Sequence, residues 1–417
     1  MMKKIIRFFK WLYPGMRIKR WIFLCAIGIF CIGIGSAKVV SRQDFITFLS
    51  GSLILLLGII LLILGIKYMV KSFITVLLPE RNKELVEIVY QKRHLQKGPR
   101  IATIGGGTGL SVLLQGIKEY TSNITAIVTV ADDGGSSGRI REQFDLLPPG
   151  DIRNCLVALA DAEPLMRELF QYRFGEDSDL KGHNFGNLFI TALSKVTGDF
   201  ERAIKESSKV LAIRGRVVPS TLHKVKLVAE HIDGTKTVGE SKIPHRGIPI
   251  RKLYLNPVEC TPTEEALEAI QEADAIILGP GSLYTSVLPN LLVRGMTEAI
   301  LGSRAIKIYV CNVMTQSGET DNFTASDHVK AIIEHTHPKI IDYCIVNTAP
   351  VPLYLLEKYK QENAYPVIND SAKIREWGYK VIEEDVISTT NFVRHSPEKL
   401  ARCIMDLLIS LRKGVLI

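Results

Sequence analysis

The chain has 417 residues, enough for a short membrane segment followed by one large domain or two small ones. Residues 1–100 hold 17 of the 52 Lys and Arg but only 4 of the 43 Asp and Glu, so the remainder carries 35 basic against 39 acidic residues; with no basic-aromatic patch there, no nucleic-acid surface is expected. The seven cysteines are scattered without a CxxC pair, which argues against a disulfide framework and a zinc site and fits a reducing compartment.

Residues 21–37 and 45–66 are apolar and hold no ionisable side chain. A helix needs about 20 such residues to cross a bilayer core, so the two runs predict a transmembrane hairpin. Seven cations (Lys3, Lys4, Arg7, Lys10, Arg17, Lys19 and Arg20) precede the first run, and Lys67, Lys71, Arg81 and Lys83 follow the second; the connecting turn has Lys38 and Arg42. The positive-inside rule then places both termini in the cytoplasm of a multi-pass cell-membrane protein. A cleaved signal peptide is disfavoured, because no small-residue cleavage site ends the first run and a second span follows. A charged, helix-compatible linker over 83–97 ends at Gly98-Pro99, so the chain divides into an anchor with linker, 1–97, and a domain, 98–417.

In that domain, apolar strands are expected at 101–104, 124–130, 275–278, 307–310 and 343–346, alternating with helices. Fully apolar strands of this kind predict an α/β domain with a mostly parallel sheet covered on both faces. Residues 208–257 are rich in β-branched residues, Gly and Pro, and predict a β-rich excursion that covers the site. Ligands of parallel sheets bind at the carboxyl ends of the strands, and the unusual loops fall at those ends.

The first such loop is Gly105-Gly106-Gly107-Thr108-Gly109, where a helix begins. Glycines allow close backbone approach, and helix-start N–H groups attract phosphate, so Gly106 to Gly109 are expected to bind an anion. Leu110 stands where a dinucleotide fingerprint needs its third glycine, and no Gly-Lys-Ser/Thr follows, so neither an NAD(P) fingerprint nor a Walker A loop is present. After the second strand, Asp132 and Asp133 have three open roles: a ribose contact, Mg²⁺ coordination, or capping of the turn. Gly135, Ser136 and Ser137 form a second anion nest, with Arg139 and Arg141 close by.

Further along, PPGDIRN opens a helix with Asp151 as its expected N-cap, and Arg153 and Asn154 are candidate ligand contacts. GHNFGNL supplies Asn187 and a candidate acid–base, His183, although a lone histidine is more often structural. Gly281, Ser282 and Tyr284 sit in the turn GPGSLYTS. CNVMTQSGET follows the fourth strand and offers Asn312 and Thr315 as a binding wall, with Cys311 expected to be buried and inert. Ser326 or Asp327 is expected to cap the next helix, and Tyr359, Arg394 and His395 lie in late loops within reach of the pocket.

GGGTG, ADDGGSSG, PPGDIRNCL, GHNFGNL, GPGSLYTS and CNVMTQSGET, in this order and spacing, resemble the YvcK family of gluconeogenesis factors within the CofD-like superfamily, over residues 101 to about 410. The hairpin is outside the resemblance. The resemblance implies a Rossmann-like three-layer domain that often oligomerises. It implies binding of a UDP-sugar such as UDP-N-acetylglucosamine, and a regulatory role linking carbon supply to cell-wall synthesis and cell shape. Gly105–Gly109 and Gly134–Gly138 would then lie near the diphosphate; Asp132 and Asn187 match marked family positions, and Tyr359 and Arg394 match positions expected near the sugar nucleotide. The wider superfamily offers a different reading: a Mg²⁺-dependent transferase, like 2-phospho-L-lactate transferase, acting on a nucleotide diphosphate-linked donor. In that reading Asp132 or Asp133 holds the metal and His183 is the base.

Overall fold

The structure, a computed structural model, describes residues 19–41, 44–77, 93–175, 178–390 and 392–412. It divides into two compact units, Met1–Gln91 and Lys92–Ile417. The cations at positions 3–17, Arg42, Arg81, Lys83 and most of the expected linker lie outside the described residues.

In the first unit, α1 (Lys19–Ser41) and α2 (Phe45–Leu77) pair as a hairpin. Both are long and apolar enough to cross a membrane. Glycines recur every seventh residue on the contact faces, at 28 and 35 and at 51, 58 and 65, and a Cβ on Gly28 would come within 2.8 Å of the Leu62 backbone nitrogen. Their missing side chains let the two backbones touch, as small residues do between membrane helices. Trp21 stacks on Tyr68 at 4.5 Å between ring centroids. Phe23, Phe30, Leu53 and Ile63 point outward and stay more than half exposed within the unit.

The second unit begins with β1 (Ile101–Gly105), α3 (Gly107–Ile117), β2 (Ile124–Val128) and α4 (Gly135–Phe144). Helices α5 (Gly150–Leu159), α6 (Pro164–Gln171), α7 (Phe185–Thr197) and α8 (Phe200–Val210) follow, and then β3 (Arg216–Pro219). Strands β4 (Lys226–His231), β5 (Lys236–Val238) and β6 (Ile250–Asn256) form a separate antiparallel sheet. The chain returns through α9 (Glu264–Glu272), β7 (Ala275–Leu278), α10 (Met296–Gly302), β8 (Ile306–Val310), α11 (Ala325–His335) and β9 (Tyr343–Asn347). It ends with α12 (Leu353–Lys360), α13 (Ser371–Glu376), β10 (Lys380–Glu384), the short pair β11 (Ile387–Ser388) and β12 (Arg394–His395), and α14 (Pro397–Arg412).

Seven strands form one parallel sheet in the order β10-β9-β8-β7-β1-β2-β3, flanked by helices. This is the expected Rossmann-like architecture. The five expected strands are its interior. The two edge strands were not expected: β3 lies inside the stretch read as an excursion, and β10 is charged at both ends and only half-buried in the middle, as the edge of a sheet is. Helix α8 also continues to Val210, so the excursion starts later than its composition indicates. Strands β1, β2 and β7 are buried at every position, and their side chains join those of α3 and α5 in one continuous core.

Chain order reverses beside β1. The path goes out to β2 and β3, then crosses back to β7 and proceeds to β10. Parallel sheets open a crevice at such a reversal, beyond the carboxyl ends of the strands. The turns after β1 and β7 face each other there.

Candidate functional site

At the crevice, Gly107 takes φ +64°, a conformation that costs a glycine little, and starts α3. A Cβ on Gly109 would stand 2.7 Å from the Pro280 carbonyl oxygen, so only glycine lets α3 meet the turn after β7 this closely. Asn290, fully buried, donates to the carbonyls of Gly105 (3.1 Å) and Ser286 (2.8 Å) and clamps the two turns together.

A cavity of about 430 Å³ opens beside this junction. Thr108, Gly109, Gly281 and Ser282 line its floor, and Asn312, Thr315, Gln316 and Glu319 line a wall from the loop after β8. Pro244 reaches in from the loop before β6, and Tyr359 and Arg394 close the remaining side. The Tyr359 hydroxyl accepts from the Val393 N–H at 3.1 Å, next to Arg394, whose guanidinium lies 4.9 Å from the centre of the Phe392 ring. Tyr359 belongs to α12 and not to a loop, and Arg394 to β12. Ser282 does not cap its own turn. Its hydroxyl donates to Glu319 Oε2 at 2.6 Å, and Thr285 donates to Ser282 at 2.7 Å. Burial raises the pKa of Glu319, and these hydroxyls hold part of the rise back.

A polar network adjoins the cavity on the side of β2. Asp132 caps the turn by accepting from Gly134 N–H at 2.9 Å, and Asp133 accepts from Ser241 N–H at 2.8 Å, which pins the antiparallel unit over this loop. Asp151 is not the N-cap of α5, a place taken by Pro149; its carboxylate accepts the N–H of Gly107 instead. Burial first, and then the charge of Asp132, push Asp151 up to about 7. Burial, followed by Asp132, Asp151 and Glu319, pushes Glu240 up to about 8. Asp132 is raised chiefly by burial. These carboxyls thus share one recessed, low-dielectric space.

Ser136 stands at the centre of the rest. Its oxygen accepts from Asn184 N–H (3.3 Å) and Asn187 Nδ2 (3.2 Å), so its proton is directed to His183 Nδ1 at 3.3 Å. Asn187 is 2% exposed, and its Oδ1 accepts from Arg153, whose other terminal nitrogen donates to Asn154 at 2.5 Å. His183 is buried, and burial and then Arg139 lower its pKa.

Of the residues singled out in the sequence, Thr108, Gly109, Gly281, Ser282, Asn312, Thr315, Tyr359 and Arg394 line the cavity. Gly106 and Gly107 sit at its junction with the polar network. Asp132, Ser136, Ser137, Arg153, Asn154, Asn187 and His183 belong to that network, with Gly135 in its backbone at φ +47°. Tyr284 is in the core, edge-on to Phe323 and His335, and does not line the cavity. Burial pushes the Cys311 thiol up to about 12, so it stays protonated and inert. Thr324, in a capping box with Asp327, caps α11, whereas Ser326 donates to Asp370. Sequence reasoning missed Glu240, Pro244 and Glu319. Glu319 had a signal, being an acid inside the polar run after β8; the other two depend on how the antiparallel unit folds back.

The profile of the family described as 2-phospho-L-lactate transferase CofD matches residues 101–387. A gluconeogenesis factor of Bacillus subtilis is 50% identical over 311 residues, 74% of this chain and 98% of that protein. A Nostoc protein that carries the same name provisionally is 46% identical over 96% of this chain and 93% of its own length, which leaves too few residues out to miss either α1 or α2. A crystal structure of a Bacillus halodurans protein, 50% identical, superposes with a TM-score of 0.72 and covers 74% of this chain and all of its own. The chain therefore belongs to the CofD family and groups there with the gluconeogenesis factors of the YvcK type.

Proposed function

We propose that this chain is a membrane-anchored regulatory protein that binds a UDP-sugar, with UDP-N-acetylglucosamine the first choice, and so links carbon supply to cell-wall synthesis. The cavity of about 430 Å³ where the turns after β1 and β7 meet carries the reading. A diphosphate is suited to the backbone N–H groups at the start of α3, an eleven-residue helix whose dipole favours anions there. Asn312, Thr315 and Gln316 offer amide and hydroxyl partners for a base or sugar, and Arg394 adds a fixed cation. The nucleophile-like group Ser136 is buried and engaged three ways, which suits a binder better than a catalyst.

The two apolar helices with outward-facing Phe, Leu and Ile supply the anchor, and the cations flanking them orient both termini to the cytoplasm. The relatives' name, gluconeogenesis factor, supports the link to carbon metabolism.

The recessed acids favour a second reading, a Mg²⁺-dependent transferase acting on a nucleotide diphosphate-linked donor, as the CofD family name would have it. Among the described residues, no three His, Cys, Asp or Glu side chains are arranged to hold a metal by themselves. Mg²⁺ would need oxygens of the diphosphate beside Asp132, its usual manner of binding.

One titration separates the two. Full-length protein in detergent is titrated with UDP-N-acetylglucosamine, UDP-glucose, GDP and NAD, with and without Mg²⁺, and each mixture is analysed for products. A UDP-sugar bound and recovered unchanged supports the sensor. GDP preference, or breakdown of a diphosphate ligand, overturns it in favour of the transferase.

A further inference from the structure

The opposite end of the sheet carries a second cleft, of about 640 Å³, at the amino ends of β8, β9 and β10. Residues 93–100, which lead in from the linker, enter β1 at this same end of the sheet. Three lysines line the cleft: Lys307, Lys339 and Lys380. None of the three is in an ion pair among the described residues. The single carboxylate in the lining, Asp342, already accepts the backbone N–H of Lys307 at 2.8 Å.

The remaining polar groups also present donors. His337 Nδ1 accepts the backbone N–H of Lys339 at 3.0 Å, so the neutral ring keeps its proton on Nε2. The Tyr343 hydroxyl accepts from Lys380 Nζ at 3.1 Å, which leaves its own proton to donate. Three ammoniums, one imidazole N–H and one phenol O–H thus line one cleft against a single carboxylate; Lys307 Nζ donates to the Ser303 carbonyl at 3.0 Å and keeps two of its three protons for a ligand. Such a lining has surplus positive charge and unfilled donors, and its complement is a compact anion rich in acceptor oxygens.

We infer that this cleft is a second binding site, for a phosphate-bearing group, separate from the crevice at the carboxyl ends of the strands. The phosphate comes either from an anionic lipid headgroup or from a small soluble metabolite; both present the same oxygens.

The test uses the full chain in phosphatidylcholine nanodiscs and reads amine acylation of each lysine by mass spectrometry. Added inorganic phosphate is expected to protect Lys307, Lys339 and Lys380 several-fold while leaving lysines elsewhere unchanged. In nanodiscs containing phosphatidylglycerol, protection without added phosphate assigns the site to the lipid; protection by added phosphate alone assigns it to a soluble anion. Lys380→Glu should abolish the protection of Lys307 and Lys339. Labelling unchanged by phosphate and by lipid, or protection that survives Lys380→Glu, overturns the site.

Discussion

Ser282 donates its hydroxyl to Glu319 Oε2 across 2.6 Å and so ties the turn after β7 to the loop after β8. The carboxylate is 6% exposed, and Thr285 supports it from the same turn. Replacing Glu319 with alanine leaves the Ser282 hydroxyl, at the head of the Thr285–Ser282 chain, without its acceptor in a buried place. The expected loss is about 1–3 kcal/mol of stability, read from urea denaturation. Binding of the proposed UDP-sugar should weaken as well, because both loops wall the cavity. Glu319→Gln keeps one acceptor oxygen and should lose less of each. Equal losses for the two variants would mean that the hydrogen bonds are not what holds the loops.

Gly109 gives a steric test of the same crevice. An alanine there would gain up to about 1 kcal/mol in helix propensity. It would also place a methyl 2.7 Å from a backbone carbonyl that cannot swing aside. Overpacking of this kind costs about 1–3 kcal/mol, so the variant should be net destabilised and should bind ligand poorly. Gly302, in α10, has open space around its Cβ and an ordinary φ, and Gly302→Ala should be neutral or stabilising. A thermal scan of both variants checks the contrast.

Asn187 is the hub between Ser136 and Arg153. With Asn187→Ala, the Arg153 nitrogen and the Ser136 hydroxyl each lose a buried partner, a cost of about 1–3 kcal/mol. Asn187→Asp loses the donor to Ser136 but keeps the acceptor for Arg153 and sets a carboxylate against that guanidinium, so its denaturation midpoint should fall between those of wild type and alanine. An alanine variant with an unshifted midpoint would remove Asn187 from the centre of the network.

These sites differ in how far the sequence announced them. Five interior strands were legible because β1, β2 and β7 are buried at every position and β8 and β9 over three consecutive ones, which leaves short apolar runs in the sequence. The edge strand β10 escaped because Lys380, Glu383 and Glu384 are what an edge in water tolerates, and that pattern is also a loop's. Loop glycines marked the crevice since a turn that meets another backbone needs them. Glu240 left no trace of its place, because its neighbours Asp132 and Asp151 lie about a hundred residues away and only the folded antiparallel unit brings them together. Asp151 misled for a related reason: its position beside Gly150 suits a cap, yet the acceptor was needed by Gly107 on another helix.

The recessed acids set the pH dependence. Glu240 stands at about 8 and Asp151 at about 7 in the folded protein, whereas both titrate near 4 when unfolded. Between those values the folded state binds more protons than the unfolded one, so stability falls as pH rises, from about 4 up to about 8, and levels off above. The direction is opposite to that of a salt-bridged carboxylate. Ligand-free protein should therefore have a higher melting temperature at pH 6 than at pH 8.5. Glu240→Gln removes the proton uptake that folding forces on this carboxyl, and should raise the melting temperature at pH 8.5 more than at pH 6. Melting curves across this range decide it: a wild-type slope that the variant retains in full would place the titration elsewhere in the molecule.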